Sequence, residues 1–159
     1  MKIYVFADSH GDSSLMKSAI EKQKPDIVIH CGDGIDDIKA MEKAYPDIKF
    51  HYVKGNCDTS FFDDKELVIS IEDYKFYITH GDKFFGKDSP EQRIADYARA
   101  KGASIVLHGH THEPTNFVHD DIQIFNPGCA TPTKVIGSKE NYGIITIEED
   151  IFFSHMEEI

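Results

Sequence analysis

Ile3-Tyr4-Val5-Phe6-Ala7-Asp8-Ser9-His10 sets five apolar residues against an acid, a hydroxyl and an imidazole. The apolar run is too short for a helix and is closed abruptly by polar residues, which predicts a buried strand over 2–7. Outward from it, Leu15, Met16, Ala19 and Ile20 recur at helical spacing, predicting a helix over 13–24. Asp12 or Ser13 is placed to cap it and Pro25 to stop it. Residues 26–30 (DIVIH) are a second strand. Ile35, Ile38, Met41 and Ala44 mark a helix over 35–45 that Pro46 ends, and 48–53 form a third strand. Strand, helix, strand, helix, strand is the order of a parallel sheet with right-handed crossovers.

The second half turns to strands. Segments 66–71 and 74–79 flank a turn at Glu72-Asp73. Residues 90–101 are a helix, with Ile94, Tyr97 and Ala98 read as one apolar face and Gly102 as its stop. A buried strand follows at 104–107. Hairpins are predicted from 116–118 with 122–125, and from 142–147 with 151–155. The expected fold class is α/β, with two packed mixed β-sheets flanked by helices in a single domain over 1–159.

At 159 residues, with 40% hydrophobic and 28% charged, the chain can bury its own core without staples. No apolar run is long enough to cross a bilayer, and a strand rather than a signal peptide begins the sequence, so the expected location is cytoplasmic with no membrane partner. The net charge of −11 repels polyanions, so no long nucleic acid is expected as a partner. The three cysteines, Cys31, Cys57 and Cys129, form no CxxC pair and offer neither a disulfide framework nor a zinc ribbon. Nine histidines in a chain without tryptophan draw attention to where imidazoles fall.

Five apolar strands each run into a polar cluster. These are Asp8-Ser9-His10, Gly32-Asp33, Gly55-Asn56, His80-Gly81-Asp82 and His108-Gly109-His110-Thr111-His112. Ligands of open α/β sheets sit beyond the carboxyl ends of strands, so Asp8, His10, Asp33, Asn56, His80, His110 and His112 are expected at one edge. Gly32, Gly55 and Gly109 permit tight turns and close backbone approach there. A nitrogen and oxygen donor set of this kind suits manganese, iron, zinc, cobalt or nickel rather than calcium or an iron–sulfur cluster. Seven donors exceed one tetrahedral ion and suit two ions sharing a carboxylate, about 3.5–4 Å apart.

In this order the motifs DSH (8–10), GD (32–33), GN (55–56), HGD (80–82) and HGHTH (108–112) resemble the calcineurin-like metallophosphoesterases. The similarity is greatest to their small bacterial and archaeal phosphodiesterases, and it extends to Asn126-Pro127-Gly128. The resemblance implies one ion held by Asp8, His10, Asp33 and His112. It implies a second held by Asp33, Asn56, His80 and His110, with Asp33 bridging. The implied cofactors are two divalent transition-metal ions, manganese or nickel first, with zinc, iron and cobalt as alternatives. The implied activity is hydrolysis of a small phosphodiester by a metal-bridging hydroxide at a net positive centre. Asp33 and Asn56 are thereby candidate catalytic residues. His108 is a third, either as a phosphate contact or as a structural hydrogen-bonding residue.

The wider superfamily often carries histidine where this chain has Cys57, which removes an imidazole acid from that position. Alternation from Asn56 predicts that Cys57 faces the core as an inert apolar residue. Cys31 and Cys129 are read as buried, His30 as a core histidine with its hydrogen bonds satisfied, and Phe84-Phe85 as satellite core. The acidic pairs Asp36-Asp37 and Asp63-Asp64, and Glu148-Glu149-Asp150, are read as solvated turns and caps. Two rival functions accompany the phosphodiesterase. One is a metal-binding scaffold for protein interactions, as a retromer subunit of this fold is; the other is a phosphomonoesterase. Self-association is left open.

Overall fold

The computed structural model describes residues 1–131 and 139–158. In chain order the elements are β1 (Lys2–Phe6), α1 (Ser14–Lys22), β2 (Ile27–His30), α2 (Ile35–Ala44), β3 (Lys49–Tyr52), β4 (Glu66–Ile71) and β5 (Tyr74–Thr79). They continue with α3 (Pro90–Ala100), β6 (Ile105–Leu107), β7 (Thr115–His119), β8 (Ile122–Asn126), β9 (Glu140–Ile147) and β10 (Ile151–Glu158).

The strands form two mixed five-stranded sheets, ordered β10-β9-β1-β2-β3 and β4-β5-β6-β8-β7. In the first, β1, β2 and β3 are parallel, with Phe6 opposite His30 and His30 opposite Tyr52, and β9 runs antiparallel to β1. In the second, β5, β6 and β8 are parallel, edged by antiparallel β4 and β7. Strand alternation fixes the layers. Ile3 and Val5 of β1 point inward to meet Phe76 and Ile78 of β5, Leu107 of β6 and Phe125 of β8 between the sheets. Tyr4 and Phe6, on the opposite face of β1, pack under Leu15, Met16 and Ala19 of α1 and Ile38 of α2. Tyr77, Val106 and Ile124 do the same for Ile94, Ala95 and Ala98 of α3. The order of layers is helix, sheet, sheet, helix, as expected from the sequence.

The C-terminal ends of α1 and α2 fall short of the sequence reading where proline follows. A residue that precedes proline is pushed out of the α region. The chain therefore leaves α1 at Gln23, before Lys24-Pro25, and Tyr45 before Pro46 is already non-helical. Of the two expected caps only Asp12 acts, accepting the Ser14 N–H at 2.9 Å. Tyr97 is a correction. Ala95 takes its place on the buried face, and the Tyr97 ring is 41% exposed, with the Lys83 ammonium 3.9 Å from its centre. No helix among the described residues is long and apolar enough to cross a membrane.

Candidate metal centre

The five polar clusters follow the carboxyl ends of β1, β2, β3, β5 and β6, and the two sheets deliver them to the same edge. The edges are stitched by backbone bonds. The Asp8 N–H reaches the Gly32 carbonyl at 3.0 Å, and the Gly109 N–H reaches that of His80 at 3.0 Å. Between sheets, the His110 N–H donates to Asp8 Oδ2 at 3.0 Å. Five of the seven candidate ligands sit at positive φ: Asp8 at 55°, His10 at 46°, Asp33 at 58°, His110 at 70° and His112 at 62°. Non-glycine residues enter this region at a cost, and such strain concentrates where a site is over-determined by its surroundings. Two of the glycines are needed for contact with a carboxylate rather than with an ion. A Cβ on Gly55 would overlap Asp33 Oδ1, and one on Gly109 would lie 2.8 Å from Asp8 Oδ2.

The side chains form a buried floor and an open rim. Asp8, Asp33 and His80 are buried, and His10, Asn56, His110 and His112 stand around them with partial exposure. Asp8 Oδ1 lies 3.3 Å from His112 Nε2 and 3.7 Å from His10 Nε2. Asp33 Oδ2 lies 3.2 Å from His80 Nε2 and 3.9 Å from His10 Nε2. Asn56 Oδ1 and His110 Nδ1 are 3.2 Å apart, and the His80 and His110 rings are 5.1 Å between centres. The structure thus brings all seven sequence-derived candidates together. Asp8, His10 and His112 form one group able to grip an ion, and Asp8, Asp33 and His80 form another.

A divalent cation fits these residues. Asp8 Oδ1 and His80 Nε2 are both buried without a hydrogen-bond partner, a costly arrangement for a carboxylate oxygen and a ring nitrogen unless a cation meets them. His80 Nδ1 donates to the Cys31 carbonyl at 2.8 Å, which fixes the tautomer and leaves the Nε2 lone pair directed at Asp8 and Asp33.

The electrostatics agree. Burial pushes the Asp8 carboxyl up to about 7, the neighbouring Asp33 adds to this, and His80 opposes it. Burial also pushes Asp33 up, but the His80 ring and the Cys57 N–H, 2.8 Å from Oδ1, outweigh it and hold Asp33 well below the usual carboxylate range. For His80, burial pushes the pKa down and the two carboxylates more than restore it.

Around the donors lies a hydrogen-bonding shell that sequence reasoning missed. The Asp58 carboxylate accepts three backbone N–H groups: Asp33 at 2.9 Å, Gly55 at 2.8 Å and Ile35 at 3.1 Å. It ties the loop after β2 to the loop after β3, and its one signal was its place two residues after Asn56. Asp37 accepts from Ser9 Oγ at 2.6 Å and from the Gly11 N–H at 2.9 Å, so it anchors the first loop rather than lying solvated. Asp63 likewise pairs with Lys39 at 2.6 Å. His30 Nδ1 accepts the Gly32 N–H at 3.1 Å, which leaves Nε2–H for Ser9 Oγ at 3.1 Å. Its hydrogen bonds are satisfied as expected, and burial pushes its pKa down to about 4. Asn126 is fully buried and donates to the Gly109 carbonyl and Thr111 Oγ1, holding the last histidine loop in shape.

His108 is 1% exposed, stacked 4.5 Å from the Phe85 ring, with Nδ1 2.9 Å from the Gly109 carbonyl. Burial pushes its pKa down to about 4. A phosphate contact requires an accessible ring nitrogen, and the surroundings of His108 are those of a hydrogen-bonded structural residue. Phe84 is buried against α3, as satellite core. Cys31 and Cys129 are buried, but Cys57 is exposed, which corrects the expectation that it faces the core. Residues 55–58 form a turn closed by the Asp58 N–H on the Gly55 carbonyl at 3.3 Å. Strand alternation does not apply in a turn. The thiol instead joins His10 and Asp33 in a third cluster of potential ligands.

A model of the calcineurin-like phosphoesterase superfamily domain matches residues 1–150. The phosphodiesterase MJ0936 of Methanocaldococcus jannaschii is 31% identical over 148 residues, covering 80% of this chain and 83% of its own. A solved archaeal phosphodiesterase superposes with a TM-score of 0.73 at 25% identity, covering 99% of this chain and all of its own. Vps29 of Entamoeba histolytica, solved with zinc, superposes with a TM-score of 0.76 over 99% of both chains. At 18% identity it shares the fold alone.

Proposed function

The chain belongs to the calcineurin-like phosphoesterase superfamily and is a phosphoester hydrolase, and from that premise we propose that it is a phosphodiesterase working with two divalent transition-metal cations. One observation carries the reading: seven nitrogen- and oxygen-bearing side chains from five strand ends gather at one edge, and two of their atoms, Asp8 Oδ1 and His80 Nε2, are buried without a partner. Asp8, His10 and His112 would hold one cation, and Asn56, His80 and His110 the other, with Asp33 shared between them. When bound, such ions lower the pKa of a coordinated water and neutralise charge on phosphoryl oxygens.

The chain's own residues do the rest. Asp33 Oδ1 accepts the Cys57 N–H, which orients the carboxylate that would be shared between the two donor groups. Asp58 and Asn126 hold the loops so that donors do not reorganise as the phosphoryl group gains charge. His108 positions its loop through the Gly109 carbonyl. The specificity for a diester is supported by the 31% identical phosphodiesterase and by the shape of the site. Two clefts adjoin the donors, one lined by His10 and Asp37 and one by Asn56 and Phe61. A diester has two substituents to place, and a monoester has one.

The test is a comparison of bis(p-nitrophenyl) phosphate with p-nitrophenyl phosphate, each with manganese, nickel, cobalt, zinc or magnesium. Metal-dependent, chelator-sensitive turnover of the diester is expected. Preference for the monoester would overturn the diester assignment. A metal-binding scaffold for protein interactions is the alternative outcome of the same test. Stoichiometric metal without turnover of any ester would select it.

A further inference from the structure

A cleft of about 550 Å³ lies between α3 and the loop that joins β5 to it, and none of the seven candidate metal donors lines it. Its volume is within the range of small-molecule sites, about 300–1,000 Å³. Arg93, Tyr97 and Ala100 follow one another at spacings of four and three, so α3 presents them on one face. The nearly buried Phe84 ring meets the exposed Tyr97 ring at 72°, with 5.5 Å between centres. With Ala100 these two rings give the cleft an apolar floor.

Three cations line the same space, and they differ in what they hold. Lys83 is committed: its ammonium donates to Glu66 at 3.0 Å and lies 3.9 Å from the centre of the Tyr97 ring. The Lys87 and Arg93 side chains make no hydrogen bond or ion pair among the described residues. The one acid in the lining, Asp96, already accepts from Arg99 at 2.8 Å and from Gln92 at 2.9 Å. Two unneutralised positive charges therefore border an apolar floor, in a chain whose net charge is −11. The planar fork of arginine suits the paired oxygens of a carboxylate or phosphate. An inorganic anion would leave the floor bare, and a neutral apolar molecule would leave the cations unanswered. A polyanion would meet the acidic remainder of the surface.

We propose that this cleft is a second ligand site, one that takes a small amphiphilic anion. Lys87 and Arg93 hold its carboxylate or phosphate head, and its apolar body rests on Tyr97, Phe84 and Ala100. The site does not depend on the hydrolytic reading. It borders the metal centre without entering it, because Phe84 belongs to the turn that follows His80, with its N–H on the Gly81 carbonyl at 2.9 Å.

The test titrates the metal-replete protein, loaded with diamagnetic zinc, and follows its backbone amides by NMR. The probes are naphthoate, naphthylmethylphosphonate, neutral naphthalenemethanol and acetate. A naphthyl anion is expected to shift amides over 83–87 and 93–100, and to bind about tenfold or more tightly than the alcohol or acetate, the scale of one charge-assisted hydrogen bond. The tighter of the two anions identifies the head group. Arg93→Glu should weaken that anion about tenfold or more with metal content unchanged, and Arg93→Lys should retain most of the affinity. Equal affinity for the alcohol, no binding of either anion, or unchanged affinity in Arg93→Glu overturns the proposal. So do shifts confined to the metal-binding edge, which would place the probe on the metal ions. A solution mass of two chains that falls to one in Arg93→Glu, without probe binding, would give this face to a second copy. Binding to phosphatidylserine vesicles but to neither naphthyl anion would give it to a membrane surface, and either result overturns the small-ligand site.

Discussion

Removing the carboxylate of Asp58 should loosen the centre without touching a single donor. Its two oxygens accept the N–H groups of Asp33, Gly55 and Ile35 at 2.8–3.1 Å, so Asp58→Ala leaves three backbone donors without their partner. A hydrogen bond to a charged group contributes about 1.5–3 kcal/mol. Asp58 is only half-buried, and water can replace part of what is lost, so the lower end applies and the sum over three bonds is about 4.5 kcal/mol. Asp58→Asn tests the mechanism more finely. Its amide oxygen can keep the two bonds made by Oδ2, but its NH2 then faces the Ile35 N–H, donor against donor, for a loss of about 2 kcal/mol. Urea unfolding of the metal-free variants measures both. Metal content should fall in the same order, because Asp33, at a φ of 58°, is held in a strained conformation partly through its own N–H. Losses below about 1 kcal/mol for both variants, with metal content unchanged, would refute the reasoning.

Asp33→Ala should reduce metal content from two ions per chain to one or none under metal-replete dialysis, because its carboxylate lies against both donor groups; elemental analysis showing two ions would contradict the shared-ligand arrangement. His30, with its pKa depressed to about 4 against about 6.5 unfolded, binds its proton more readily when the chain is unfolded, so its contribution is full above pH 6.5 and is lost as pH falls toward 4. The loss reaches about 3 kcal/mol, and unfolding free energies at pH 7 and pH 4.5 should converge in His30→Gln relative to the parent; an identical pH dependence in the two would show otherwise. A disulfide reagent should modify one thiol per native chain quickly, Cys57, and the other two only on unfolding. Three fast thiols, or none, would contradict the burial of Cys31 and Cys129 and the exposure of Cys57.

The layers of this protein were legible in its sequence because they depend on short-range pattern. Five- and six-residue apolar runs fit strands and not helices, and Leu15-Met16-Ala19-Ile20 fits the face of one helix and little else. The positions of Asp8, Asp33, Asn56, His80 and His110 at one edge were legible too, because a parallel sheet brings the carboxyl ends of its strands together whatever the loops do. What the tertiary structure decided depends on which segment approaches which across the molecule. Asp58 has the same side chain as the solvated Asp121, and only the arrival of the loop after β2 adds the Asp33 and Ile35 N–H groups to the Gly55 N–H of its own turn. The Cys57 thiol faces outward because residues 55–58 close a turn, where the alternation of strands has no force. No local pattern in the sequence places Phe61-Phe62. The pair is exposed at the tip of a loop that Lys54, Ser60 and Asp63 anchor on either side of it, and the Lys39 ammonium of α2 reaches Asp63 only once helix and loop are brought together by the fold.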